Sequence, residues 1–156
     1  MDLYISLKLG HVIGAAVLFG TGVGMAFFML MAHWTRDAAL VAHTAGVVVV
    51  ADTVFTATAV LLQPVTGAAL ANLAGLPLFS DWIGLSFVLY LVTGACWLPV
   101  VWIQLRMRNI AREAARSDEP LPRAYHRLFR LWLLLGFPAF AAVVAIIWLM
   151  IAKPNL

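Results

Sequence analysis

Four histidines and one acid set deep in an apolar run are the residues of this chain best suited to chemistry. His11 lies inside a long apolar segment, one turn after Lys8 and between Gly10 and Gly14. A histidine at that depth in hydrocarbon needs a partner or a ligand. Haem iron is the cofactor that a histidine inside a small helical bundle most commonly holds, so His11 is the candidate metal ligand. The competing reading is a hydrogen-bonded structural histidine that reaches Gln63. His33, His43 and His126 fall near the ends of apolar segments, where an imidazole can stay wet. Their simplest role is interfacial; convergence of all three would make a second metal or haem site. Asp52 stands mid-segment, either as a protonated or hydrogen-bonded carboxyl that locks the helices or as a proton relay and partner for a propionate, amine or cation. It is the candidate catalytic residue. The single cysteine, Cys96, excludes an intrachain disulfide.

The elements that must position these groups are apolar helices. Four stretches, Leu3–Met31, Leu40–Ala71, Trp82–Leu105 and Leu128–Ala152, each exceed the roughly 20 residues needed to cross a hydrocarbon core of about 30 Å. Of the 156 residues 64% are hydrophobic and 11% charged, with a mean hydropathy of +0.99, far from a soluble domain. In hydrocarbon each segment must satisfy its own backbone, which selects helices. All eight arginines lie between the first and second stretches (Arg36) or between the third and fourth, and the connection from Asn72 to Asp81 has no basic residue. The positive-inside rule then predicts an all-α, four-helix transmembrane bundle, up-down-up-down, with both termini outside. Its spans are expected at about 3–32, 40–71, 81–105 with a cytoplasmic extension to about 116, and 124–152, in one domain. The expected location is a bacterial inner membrane with the Arg-rich loop in the cytoplasm. The net charge of +3 is juxtamembrane, so the partner it implies is anionic lipid and not nucleic acid. The first segment has Asp2 in place of a basic leader and an apolar run too long for a signal peptide, so it is expected to be retained.

Spacing within the spans adds detail. In span 1, Gly10/Gly14 and Gly20/Gly24 are four apart, a spacing that admits a close helix or a flat ligand. Met25, Met29 and His33 share the face of His11 and could line a lower cavity or simply pack. In span 2, Asp52, Thr56, Ala59, Gln63 and Thr66 fall on one helical stripe, and Pro64 is expected to kink its outer end. Span 3 carries Ser86, Tyr90, Thr93, Trp97 and Gln104. At about 1.5 Å per residue, His11 lies roughly 10 Å inside its end, level with Gln63, Thr66, Ser86 and Tyr90. These four and Gly14 complete the candidate cofactor-binding set. No second histidine shares that level, so iron there would be five-coordinate or have a weak sixth ligand. Pro122 suits the first turn of span 4, where Arg123, Arg127 and Arg130 are placed to snorkel to phosphates. Trp82 and Trp148, with Trp34 and Trp132 opposite, fit two interfacial aromatic belts.

The segment Leu7-Lys8-Leu9-Gly10-His11-Val12-Ile13-Gly14 resembles the first span of the HemJ-type protoporphyrinogen IX oxidases, which opens on a lysine–hydrophobic–histidine pattern. Tyr125-His126-Arg127-Leu128-Phe129-Arg130 through Lys153-Pro154 resembles that family's last span. Ala51-Asp52-Thr53, Leu62-Gln63-Pro64-Val65-Thr66-Gly67 and Cys96-Trp97-Leu98-Pro99-Val100-Val101-Trp102 look more like a related group of bacterial four-span membrane proteins of unknown function, and that resemblance covers nearly the whole chain. The HemJ resemblance implies haem b with His11 as axial ligand. Two departures separate the chain from that family. Ser86 stands near the position of a lysine tied to the family's activity, and Cys96-Trp97 occupies the region of its span-3 histidine.

The resulting expectation is a haem-b-binding membrane protein with a redox role: electron transfer, or oxidation of a porphyrin-like or quinone-like lipophilic substrate. As an enzyme it would be a membrane oxidoreductase without the HemJ span-3 lysine. Its candidate partners are lipid, haem or porphyrin, a second copy of the chain, and a redox protein of the membrane. The alternative is a cofactor-free transport or assembly subunit.

Overall fold

Long runs of Leu, Val, Ala and Phe with little interior charge leave each segment's backbone no hydrogen-bonding partner but itself, and the computed structural model is helical accordingly. It describes residues 2–79 and 81–154. Four helices result: α1 (Leu3–Thr35), α2 (Ala38–Leu73), α3 (Asp81–Arg116) and α4 (Arg123–Ala152), each long and apolar enough to cross a membrane. There is no strand among the described residues.

The stops are local chemistry. Asp2 caps α1, accepting from the Tyr4 amide at 3.2 Å. Arg36 takes a left-handed conformation (φ 58°) that ends α1. Asp37 then caps α2 by accepting from the amides of Ala39 (2.8 Å) and Leu40 (3.1 Å). With only Arg36 and Asp37 between them, α1 and α2 must be antiparallel neighbours. Pro122 is the cap residue of α4, one position before the first turn that its type suggested.

The helices close a ring: α1 beside α2, α2 beside α3, and α3 beside α4 along most of its length. Aromatic side chains join α4 back to α1. Phe19 stacks on Phe140 with centroids 5.4 Å apart, and His33 lies flat on Phe129 at 3.7 Å and 5°. The buried core occupies the Arg-rich half and centres on Met29, Val41, Ile103, Met107 and Tyr125. Met25 and Met29 belong to this core. Trp132 is buried at 6% exposure against Phe129, so it is a core residue and not part of an aromatic belt. Trp34, Trp102 and Trp148 are more than half exposed.

α2 is not a uniform α-helix. Asp52–Thr56 forms a π-helical turn, with the Ala57 amide bonded to the Asp52 carbonyl five residues back. Such a turn absorbs one extra residue and rotates the downstream part of the helix by about 100° relative to an unbroken α-helix. The polar residues of α2 therefore do not form the single stripe that α-helical spacing predicts. Asp52 faces Trp97 of α3, while Gln63 and Thr66 face His11 of α1.

Candidate functional site

The first cluster joins α1 to the far end of α2. His11 Nδ1 and Thr66 Oγ1 are 2.8 Å apart. The Thr66 hydroxyl has one hydrogen, and two carbonyls that can only accept lie beside it, Leu62 at 2.8 Å and Gln63 at 3.3 Å. Its hydrogen therefore goes to the backbone, and its oxygen accepts from His11 Nδ1–H. That fixes the imidazole tautomer and leaves the lone pair on Nε2, for which the described residues provide no hydrogen-bond partner. Gln63 Nε2 donates to the His11 carbonyl at 2.9 Å, so Gln63 holds the backbone of His11 and not its ring.

Glycine makes this approach possible. A Cβ at Gly14 would overlap the Gln63 amide, and one at Gly67 would stand 3.2 Å from His11 Cε1. Gly14 thus gives its space to Gln63. Gly10, Gly20, Gly22 and Gly24 would meet nothing within 4 Å, so they do not bring any helix of this chain close.

Ser86 and Tyr90 hold other places. Ser86 is buried and donates to its own helix, to the Trp82 carbonyl at 2.7 Å. The Tyr90 hydroxyl donates to the Val60 carbonyl on α2. Val60 is four residues before Pro64, which has no N–H to return to it. Tyr90 supplies the donor that the proline lacks and ties α3 to α2 at that level. The α-helical segment runs unbroken through Pro64 to Leu73; the departure from α geometry lies upstream, at Asp52–Thr56.

The second cluster surrounds Asp52, which is 3% exposed. Trp97 Nε1 donates to Asp52 Oδ1 at 3.1 Å. Asp52 Oδ2, the Thr56 hydroxyl and Gln104 Oε1 are buried without a hydrogen-bond partner. Asp52 and Gln104 border a cleft of about 240 Å³ between α2 and α3, walled by Val49, Val101 and Leu105. Two unsatisfied polar atoms on one cavity in the middle of a membrane bundle, Asp52 Oδ2 and Gln104 Oε1, suit water, a proton or a small polar group. Trp97 and Gln104 stood on the span-3 polar stripe without a partner. The level counting used for His11, applied at Asp52, would have joined them.

The third cluster lies at the Arg-rich end. His33 Nδ1 is 3.3 Å from the buried Tyr125 hydroxyl, and its ring is 5.6 Å from that of His126. His43 is on another face, beside Arg108 and Arg112. The three interfacial histidines do not converge. No group of three or more metal-ligating His, Cys, Asp or Glu occurs among the described residues.

Comparison with curated proteins and with solved structures finds no match. A family model does match, over residues 5–154, and so takes in all four helices and both the His11 and Asp52 clusters. Coverage of nearly the whole chain, with four helices of membrane-spanning length and composition, leaves one assignment: the protein belongs to the DUF2269 family, described as predicted integral membrane proteins.

Proposed function

We propose that this integral membrane protein binds a b-type haem through His11 and has a redox role, with its Arg-rich end in the cytoplasm of a bacterial cell. The observation that carries the reading is the His11–Thr66 bond. An imidazole that ligates iron is normally oriented through its other nitrogen, and here Thr66 holds Nδ1 while Nε2 keeps its lone pair. The donor set fits one axial ligand from the protein, since no other histidine lies on the outer half of any helix. A bound haem would supply one-electron chemistry to a lipophilic partner such as a quinone or porphyrin.

The chain's own residues then have distinct tasks. Thr66 orients the ring of His11, and Gln63 fixes its backbone across the Gly14 gap. Tyr90 keeps α3 registered against α2. Asp52, with one oxygen held by Trp97 and one unpaired beside the cleft, can hold or release a proton when charge changes nearby. His11→Ala is expected to insert normally and purify with less than about one tenth of the wild-type haem, since no other imidazole can replace it. Equal haem content in the two proteins would remove His11 from the reading.

The Asp52 cleft itself favours a second reading, a cofactor-free transport subunit. A buried carboxyl and a glutamine with unpaired atoms on one cleft are the kind of groups that line an ion path. A colourless protein that carries proton or cation flux in proteoliposomes would select it.

A further inference from the structure

The seam between α2 and α3 has a second opening, one to two turns nearer the Arg-rich end than the Asp52 cleft. It is a groove of about 520 Å³ between His43, Gly46, Val47 and Val50 of α2 and Arg108 and Arg112 of α3. Its two ends differ in chemistry. At the Arg-rich end, two guanidinium groups and an exposed imidazole share the opening without an acidic neighbour. The ion pair among the described residues, Arg116 with Glu113 at 3.8 Å, lies elsewhere. Arg108 donates from Nε and Nη2 to Asn109 Oδ1 at 3.2 Å, a neutral partner that leaves its charge uncompensated. Toward the membrane centre the wall is apolar, and Val47 and Val50 are 56% and 63% exposed. Gly46 matters where the two meet: a Cβ there would lie 3.6 Å from Arg112 Nη2, so the guanidinium rests against the α2 backbone.

We infer that this groove is a binding site for one anionic phospholipid, with its phosphodiester held by Arg108, Arg112 and His43 and an acyl chain along Val47 and Val50. Paired guanidiniums match phosphate oxygens in charge and geometry. The juxtaposition of unpaired cations with an exposed apolar wall on a membrane-spanning seam selects a lipid over a soluble anion, which would use the arginines and leave the valines bare. Arg123, Arg127 and Arg130 offer a contrast: they are exposed along α4 and do not line this groove. The lipid site does not depend on haem.

Native mass spectrometry of the whole protein, released from detergent with added dioleoylphosphatidylglycerol or dioleoylphosphatidylcholine, tests it. The wild type is expected to retain one phosphatidylglycerol about tenfold more strongly than phosphatidylcholine, and inorganic phosphate in large excess is expected not to displace it. Arg108→Gln/Arg112→Gln should erase that preference, whereas Arg123→Gln/Arg127→Gln should keep it. Val47→Trp, which retains every charge on an exposed position, should also lose the bound lipid, and it decides the matter alone if the double arginine variant fails to fold. Equal retention of the two lipids by the wild type, or equal loss in both arginine pairs, would overturn the site. Displacement by inorganic phosphate, or unchanged lipid binding in Val47→Trp, would overturn the acyl-chain half and with it the lipid assignment.

Discussion

At the level of single residues, two hydrogen bonds decide most of the chemistry. Thr66 decides which nitrogen of His11 bears the proton, because its own hydrogen is committed to the backbone. Thr66→Val keeps the shape and removes the acceptor. It is expected to weaken haem retention by about ten- to a hundredfold while His11 stays in place; titration of the haem-free protein with hemin checks this. Tyr90 acts in the opposite sense, as a donor to a carbonyl left unpaired by Pro64. Tyr90→Phe should cost about 1 kcal/mol of stability, measured by denaturant unfolding in detergent. On a Pro64→Ala background the cost should largely vanish, because the substituted alanine brings its own N–H to the Val60 carbonyl. An equal cost on both backgrounds would reduce Tyr90 to packing. Much of this level was legible in the sequence. Depth counting put His11 level with Gln63 and Thr66, and the structure joins these three. It could not assign donors. The competing reading of a structural histidine sends Gln63 to the ring, and it lies at the carbonyl; Ser86, a member of the candidate cofactor set, bonds to its own helix.

Among the elements, α2 matters most, because its π-helical turn sends two groups of polar residues to different partners. Below the turn Asp52 meets α3; above it Gln63 and Thr66 meet α1. Periodicity could not reveal this. The residues Asp52–Thr56 contain neither glycine nor proline, and α-helical spacing accounts for their polarity pattern equally well. The extra residue is a tertiary effect, set by which neighbours each half of the helix must face. Deleting Val54, an exposed member of the turn, should restore α-helix while leaving the register of both flanks intact. The expected protein inserts and keeps the His11–Thr66 contact, seen as unchanged haem content, with a continuous α-helix through Asp52. Loss of haem on that deletion would mean that the turn does not work as a local insertion. The ends of the helices were easier to read, since Asp37 and the Arg36 break are signals of the chain itself.

Across the whole molecule, the packed core lies at the Arg-rich end and the candidate cofactor site at the other. This division has a physical basis. The aromatic and methionine side chains that fill space, Met29, Met107, Tyr125, Phe129 and Trp132, are concentrated near the arginine loop, whereas the buried residues of the far half are mostly small: Ala59, Ala71, Ser86 and Ala142. The four-helix class was legible because hydrocarbon allows few alternatives; the uneven filling was not, because equal hydropathy in two halves says nothing about fit. The proposed sidedness rests on the distribution of the arginines and is open to a direct check. Ser117→Cys in a Cys96→Ala background should react with a membrane-impermeant maleimide only after the cytoplasmic side is exposed. Reaction in intact cells from outside would invert the topology. The central claim, that His11 holds a haem, rests on one spectrum: the detergent-purified protein, oxidised and then reduced with dithionite. The account predicts a Soret band that shifts on reduction, resolved α and β bands, and the loss of all three in His11→Ala. A colourless protein after expression with added haem precursor, or an unchanged spectrum in His11→Ala, would contradict it.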